Sequence, residues 1–144
     1  SWLDEDWGFD RGDGRIYAVP FLTLADPEFA VAELDRVIAM GARMVVTVPG
    51  PIPTDHGYQS PGMPVYDPIW ARLEEAGIPY AIHAGLGGTA QYGKIWEPPS
   101  GQFEGFRHSP FPVVAFVDRT IADTLAAMIF HGVLDRFPRL QAAT

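Results

Sequence analysis

The stretch Asp67-Pro68-Ile69-Trp70-Ala71-Arg72-Leu73-Glu74-Glu75-Ala76-Gly77-Ile78-Pro79-Tyr80-Ala81-Ile82-His83 contains, in order, a helix start, a helix, a stop and a strand. Proline suits the first turn of a helix, and an acidic side chain suits the positive end of its dipole. Ile69, Trp70 and Leu73 then fall on one helical face, and Gly77 supplies the residue that most readily closes a helix. Tyr80-Ala81-Ile82 is short and apolar, and His83 stands at its carboxyl end.

The same order occurs once before. Asp26 can cap a helix, Pro27 and Glu28 suit its first turn, and Phe29, Leu34, Val37, Ile38 and Met40 build one apolar face. Gly41 ends it. Met44-Val45-Val46-Thr47-Val48 follows, nearly all apolar and β-branched, as expected of a strand buried on both faces. Aligning Gly41 with Gly77 sets Thr47 opposite His83 on successive strands. Repeated helix-strand units of this kind predict an α/β fold, a parallel sheet with its helices outside.

Outward from this pair, residues 15–21 form a β-rich run after the turn-like Gly12-Asp13-Gly14. A third helix is expected over about residues 112–131, with Val113, Val117, Ile121, Leu125 and Met128 on one face, and Gly132 breaks it. A turn at 133–138 leads into residues 140–144, which read as the start of another strand. The chain thus supplies about three β/α units and part of a fourth, where a closed barrel of eight needs about 250 residues. It is expected to be a piece of a longer protein, and alone it would leave open sheet edges that favour instability or self-association.

Composition bounds the partners. The 144 residues are 47% hydrophobic and 19% charged, as in a soluble globular domain. The 14 prolines and 15 glycines are spread along the chain as punctuation. A net charge of −8 argues against nucleic acid, which needs a basic face. No cysteine is present, which excludes disulfides and thiolate zinc sites. The acidic opening residues lack the basic start of a signal peptide, and no apolar run reaches the roughly 20 residues of a membrane span. A cytoplasmic location and no membrane partner are expected.

His83 is the leading candidate for chemistry, because the carboxyl ends of barrel strands face the active site. On strand position alone, a buried structural histidine and a metal ligand or acid/base group read equally well. Two loops lie where a substrate would bind. Residues 49–64 carry Asp55, His56 and Tyr58, and residues 85–110 carry Tyr92, Lys94, Trp96, Glu97, Arg107 and His108. His56 and His108 read as solvated loop histidines or substrate contacts, and Trp96 as lid packing or a stacking surface. His131, near a helix end, reads as structural, and Asp135 with Arg136 as a local turn contact. Gly88 to Ile95 has the spacing of a phosphate-binding loop except at its last position. Ile95 cannot hold magnesium and Pro98-Pro99 prevents the required helix, so nucleotide binding is not expected there.

Gly132-Val133-Leu134-Asp135-Arg136-Phe137-Pro138-Arg139-Leu140, after a long apolar helix, resembles the segment before strand six in the amidohydrolase-related family, which includes aminocarboxymuconate-semialdehyde decarboxylase. The strand ending in His83-Ala84-Gly85 resembles its strand five, and Asp26-Pro27-Glu28 and Tyr66-Asp67-Pro68-Ile69-Trp70 resemble the openings of its third and fourth helices. The resemblance spans nearly the whole chain, and the Asp-Arg-Phe-Pro stretch is its most specific part. It implies that residues 1–144 are part of a (β/α)8 TIM barrel, without the strand-one and strand-eight regions.

It further implies a divalent metal ion, zinc or alternatively manganese, held by two histidines of strand one, an aspartate of strand eight and a strand-five histidine that His83 matches. The catalytic histidine that such enzymes carry after strand six has no counterpart here. Trp96 matches an aromatic near the substrate, and His56 and Tyr92 join it as candidate substrate contacts. The implied reaction is non-oxidative decarboxylation of an unsaturated or aromatic carboxylic acid, a small-molecule substrate. Hydrolysis of an amide, ester or lactone is the alternative, a metal-free binding module the second alternative, and a homodimer is left open.

Overall fold

Residues 20–22, 45–47, 80–82 and 142–143 lie side by side as parallel chain segments, with helices over one face. The computed structural model describes residues 5–6, 8–9, 14–83 and 110–144, the side chains of the last stretch from residue 119 onward. In chain order the elements are α1 (Pro27–Ala39), β1 (Val45–Thr47), β2 (Ile52–Thr54), β3 (Gly57–Gln59), a 3₁₀ turn (Pro64–Tyr66), α2 (Asp67–Ala76), β4 (Tyr80–Ile82), α3 (Pro110–Phe130), the single turn α4 (Val133–Arg136) and β5 (Ala142–Ala143).

The sheet runs β1-β4-β5. Val45 pairs with Tyr80 and Thr47 with Ile82, while Tyr80 pairs in turn with Ala142. Phe21 bridges Val46 in parallel on the other side, flanked by bonds from Leu22 N–H to Val46 O at 2.8 Å and from Val46 N–H to Pro20 O at 2.9 Å. Among the described residues, successive segments of this sheet are therefore neighbours in it, the order of a singly wound barrel rather than of a sheet that reverses direction. The β-rich run expected over 15–21 contributes isolated bridges at Tyr17 and Phe21, not a continuous strand.

Helix α1 begins as its sequence predicts. The Asp26 carboxylate accepts from the N–H groups of Glu28 and Phe29, both at 3.1 Å, and Ala30, Leu34 and Val37 are buried. Helix α2 differs at the same dipeptide. Asp67 lies inside the helix, which has no side-chain cap, and its carboxylate accepts from Arg136 Nη2 at 2.8 Å. The left-handed Gly77 (φ 65) is itself the C-cap of α2, whereas α1 is capped by Met40 with Gly41 one residue beyond. The path from the glycine to the strand is one residue shorter in the second unit, with three residues before Val45 and two before Tyr80. Thr47 therefore pairs with Ile82 rather than His83, one position off the alignment of the two glycines.

The core lies between the sheet and the helices. Val45, Tyr80 and Ile82 are buried against Leu34, Val37, Ile69, Trp70, Leu73 and Met128 in one cluster. Trp70 and Tyr80 stack at a tilt with centroids 5.1 Å apart, and the Tyr80 hydroxyl donates to Met128 Sδ at 2.7 Å. On α3 the buried line includes Thr120 and Thr124 as well as Met128. Thr124 Oγ1 donates to Thr120 O and accepts from Gly50 N–H, both at 2.7 Å, which fixes the turn after β1. Gly62 lies in close contact with α3. A Cβ there would stand 2.7 Å from the His131 Cβ and 2.9 Å from the Ala127 carbonyl oxygen.

The other face of the sheet is open. Strand alternation puts Phe21, Val46 and Ala81 on it, and Val48 and His83 continue it by two residues. Phe21 is 57% exposed and Val48 52%. Burial of the β1 strand on both faces is therefore not what the described residues show: its helix face is buried and its other face is partly or largely exposed.

Candidate functional site

Strand β4 delivers His83 to the carboxyl end of the sheet. Its N–H donates to Thr47 O at 2.9 Å, extending the ladder one bond past the last paired residues. Because Tyr80 and Ile82 point into the helix layer, alternation turns His83 to the open face. His83 is exposed rather than buried. It makes no hydrogen bond to a side chain among the described residues.

Residues 49–64, expected as a loop, contain a hairpin. Ile52 pairs with Gln59 and Thr54 with Gly57. Thr54 Oγ1 donates to Gly57 O at 3.1 Å and accepts from His56 N–H at 3.3 Å across the tight turn. Gly57, at φ 115, gives the backbone a conformation that a side chain would resist. Its Asp-His-Gly turn between short β-capable runs was the available signal.

Two cavities flank this hairpin. One, of about 300 Å³, lies against the strand ends and is lined by Phe21, Leu22, Thr47, Val48 and Tyr58 among others. The second, of about 590 Å³, is lined by Asp55 and His56 with Gln59, Val65 and Tyr66. His56 thus sits at the hairpin tip, exposed, and on the second cavity rather than on the one beside Thr47. Tyr92, Trp96 and His108, and the phosphate-loop-like stretch 88–95, lie outside the described residues. Among the described residues no three His, Cys, Asp or Glu side chains cluster to hold a metal ion, so His83 is a single donor. Sequence reasoning missed Phe21 and Val48, although counting back by twos from His83 and across the sheet would have found them.

His131 and Arg136 make structural contacts. His131 Nδ1 lies 2.9 Å from Ser60 Oγ, which in turn accepts from Gly62 N–H at 3.1 Å. Arg136 does not turn to its neighbour Asp135. Its guanidinium donates to the Asp67 carboxylate, to Gly62 O at 3.2 Å and to His131 O at 2.6 Å. It ties α4 to the start of α2.

Likeness to known proteins agrees with this arrangement. The crystal structure of amidohydrolase map2389c from Mycobacterium avium subsp. paratuberculosis K-10 is 45% identical, with a TM-score of 0.83, over 98% of this chain and 35% of that one. The 2,6-dihydroxybenzoate decarboxylase from Rhizobium shares the fold at 21% identity and a TM-score of 0.63, over 87% of this chain and 36% of that one. A dihydroxybenzoic acid decarboxylase from Polaromonas sp. JS666, solved with bound manganese and the inhibitor 2-nitroresorcinol, does so at 18% identity and a TM-score of 0.61, over 88% of this chain and 35% of its own. The chain therefore spans about a third of the length of these proteins, and its sheet and helices match part of a TIM barrel. The family model described as Amidohydrolase matches residues 5–143, and the chain belongs to that family.

Proposed function

We propose that His83 is one ligand of a divalent metal ion, zinc or manganese, in a barrel enzyme that removes CO2 non-oxidatively from an unsaturated or aromatic carboxylic acid. The observation that carries this reading is the placement of an exposed imidazole, uncommitted to any described side chain, at the carboxyl end of β4. That is the end of a barrel strand where active sites form. A neutral imidazole suits either metal, and the fold likeness to a manganese-bound decarboxylase supports the choice. The donor set within the described residues fits as one ligand of such a site.

When bound, such an ion polarises a substrate oxygen and lowers the pKa of its water to about 7. In the decarboxylation, the bond from the substrate carbon to its carboxylate breaks, CO2 leaves, and the carbon takes a proton. The chain's own contribution is to hold the imidazole and to wall the site with Phe21 and Val48, whose apolar side chains suit the hydrocarbon part of such an acid. His56, Tyr92 and Trp96 are the further residues we assign to substrate contact.

Hydrolysis of an amide, ester or lactone is the second reading, favoured by the 45% identical protein being an amidohydrolase by name. Elemental analysis of the full-length protein and of His83→Ala is the test, followed by assays for CO2 release from 2,6-dihydroxybenzoate and for hydrolysis of a phenyl ester. Metal held by the wild type and lost from the variant is the expected result. Equally little metal in both leaves His83 a structural residue and ends the metal-enzyme reading at this position.

A further inference from the structure

The cavity at the end of β1 has a mainly apolar lining among the described residues. None of its described lining residues is charged, and the polar groups among them are Thr23, Thr47, the Tyr58 hydroxyl and backbone. Leu22, Thr47 and Ile52 form a buried base, while Phe21, Val48 and Tyr58 stand 57%, 52% and 63% exposed. Large apolar side chains exposed around one concavity mark a binding surface more often than chance. Its volume of about 300 Å³ is that of a small ligand pocket. The described lining offers a carboxylate no cation to replace its lost hydration, so an uncharged group suits these residues better than an ionised one.

The walls are held in place before any ligand arrives. Gly50 N–H is anchored on Thr124 Oγ1 at 2.7 Å, and Tyr58 is paired with Pro53 in the hairpin. Thr47 belongs both to the cavity lining and to the hydrogen bond with His83. The cavity lining and the strand that carries His83 are therefore joined by a backbone hydrogen bond.

We infer that this cavity is the subsite for the uncharged hydrocarbon part of the substrate, with Tyr58 and Val48 setting which ring system enters. The inference rests on the assignment of His83 as metal ligand for the identity of the substrate, but not for binding in the cavity. The test uses the full-length protein and isothermal titration calorimetry with 2-naphthol, a neutral bicyclic probe, and 2-naphthoate, its anionic counterpart. Tyr58→Ala removes one wall, and Val48→Trp fills the space from a half-exposed position. Each is expected to weaken 2-naphthol binding by about tenfold, whereas His83→Ala is expected to weaken 2-naphthoate binding. If Val48→Trp does not fold, Tyr58→Ala, a truncation of an exposed side chain, decides alone. Absence of 2-naphthol binding to the wild type, or unchanged binding in the folded cavity variants, overturns the subsite. Metal retained by His83→Ala would instead count against the metal reading and leave the naphthol result standing.

Discussion

At the scale of single residues, Tyr80 shows how burial becomes a pH dependence. Its ring lies on Trp70 and its hydroxyl donates to Met128 Sδ, deep between sheet and helices. Burial raises its pKa well above the ordinary tyrosine value. Below about pH 10 the phenol is neutral in folded and unfolded chains alike, and its contribution to stability is fully present. Above that, the unfolded chain ionises first, so stability falls as pH rises toward the folded-state pKa. Urea unfolding of the full-length protein at pH values from neutral to strongly alkaline should give a falling stability that is shallower in Tyr80→Phe, by up to about 1.4 kcal/mol per pH unit. Superimposable slopes would mean that the phenol ionises freely in the folded protein. Tyr66, also raised by burial, contributes to what slope remains. The position of His83 was legible because strand ends follow from local pattern. The partner of Arg136 was not, since Asp67 is 69 residues away and only the packed helices bring the two together.

Two elements opened by the same dipeptide use it differently. Asp26 satisfies the free N–H groups at the start of α1, while Asp67 leaves the capping role and anchors Arg136. Asp26→Ala should cost about 1 kcal/mol as the loss of an N-cap. Asp67→Ala should cost a comparable amount for a different reason, and a double-mutant cycle separates the two. Asp67→Ala with Arg136→Ala should show a coupling of about 0.5–1 kcal/mol, modest because both side chains are partly exposed. Asp26→Ala with Arg136→Ala should be additive. Coupling in the second pair, or none in the first, contradicts this division of roles. The helices and buried strands were readable because their apolar spacing is local. The β2–β3 hairpin offered only its Asp-His-Gly turn as a signal, because three-residue strands among prolines leave almost no alternation to read. The Thr120–Thr124 line on α3 escaped for another reason: buried threonine satisfies its hydroxyl through backbone partners that spacing does not reveal.

At the scale of the molecule, the sheet has one finished face and one unfinished. The helix layer buries Val45, Tyr80 and Ile82 almost completely, whereas the face carrying Phe21, Val48 and His83 meets solvent. The two outer segments, 20–22 and β5, each have one strand neighbour among the described residues. Unpaired strand edges beside exposed apolar side chains favour association with other chains. The polypeptide of residues 1–144, purified alone, should therefore form concentration-dependent oligomers in size-exclusion chromatography with light scattering. Phe21→Lys and Val48→Lys together should shift it toward monomer, since both positions are exposed and lysine at a sheet margin opposes pairing. The same pair in the full-length protein should abolish binding of 2-naphthol, because both residues line the cavity beside Thr47. A monomeric 1–144 polypeptide at high concentration would show that this face needs no cover. The parallel order of the segments was legible from the helix–strand repeat, but the openness of one face was not. A run such as Met44 to Val48 reads the same whether its second face is covered by its own chain, by neighbouring strands of a barrel or by substrate.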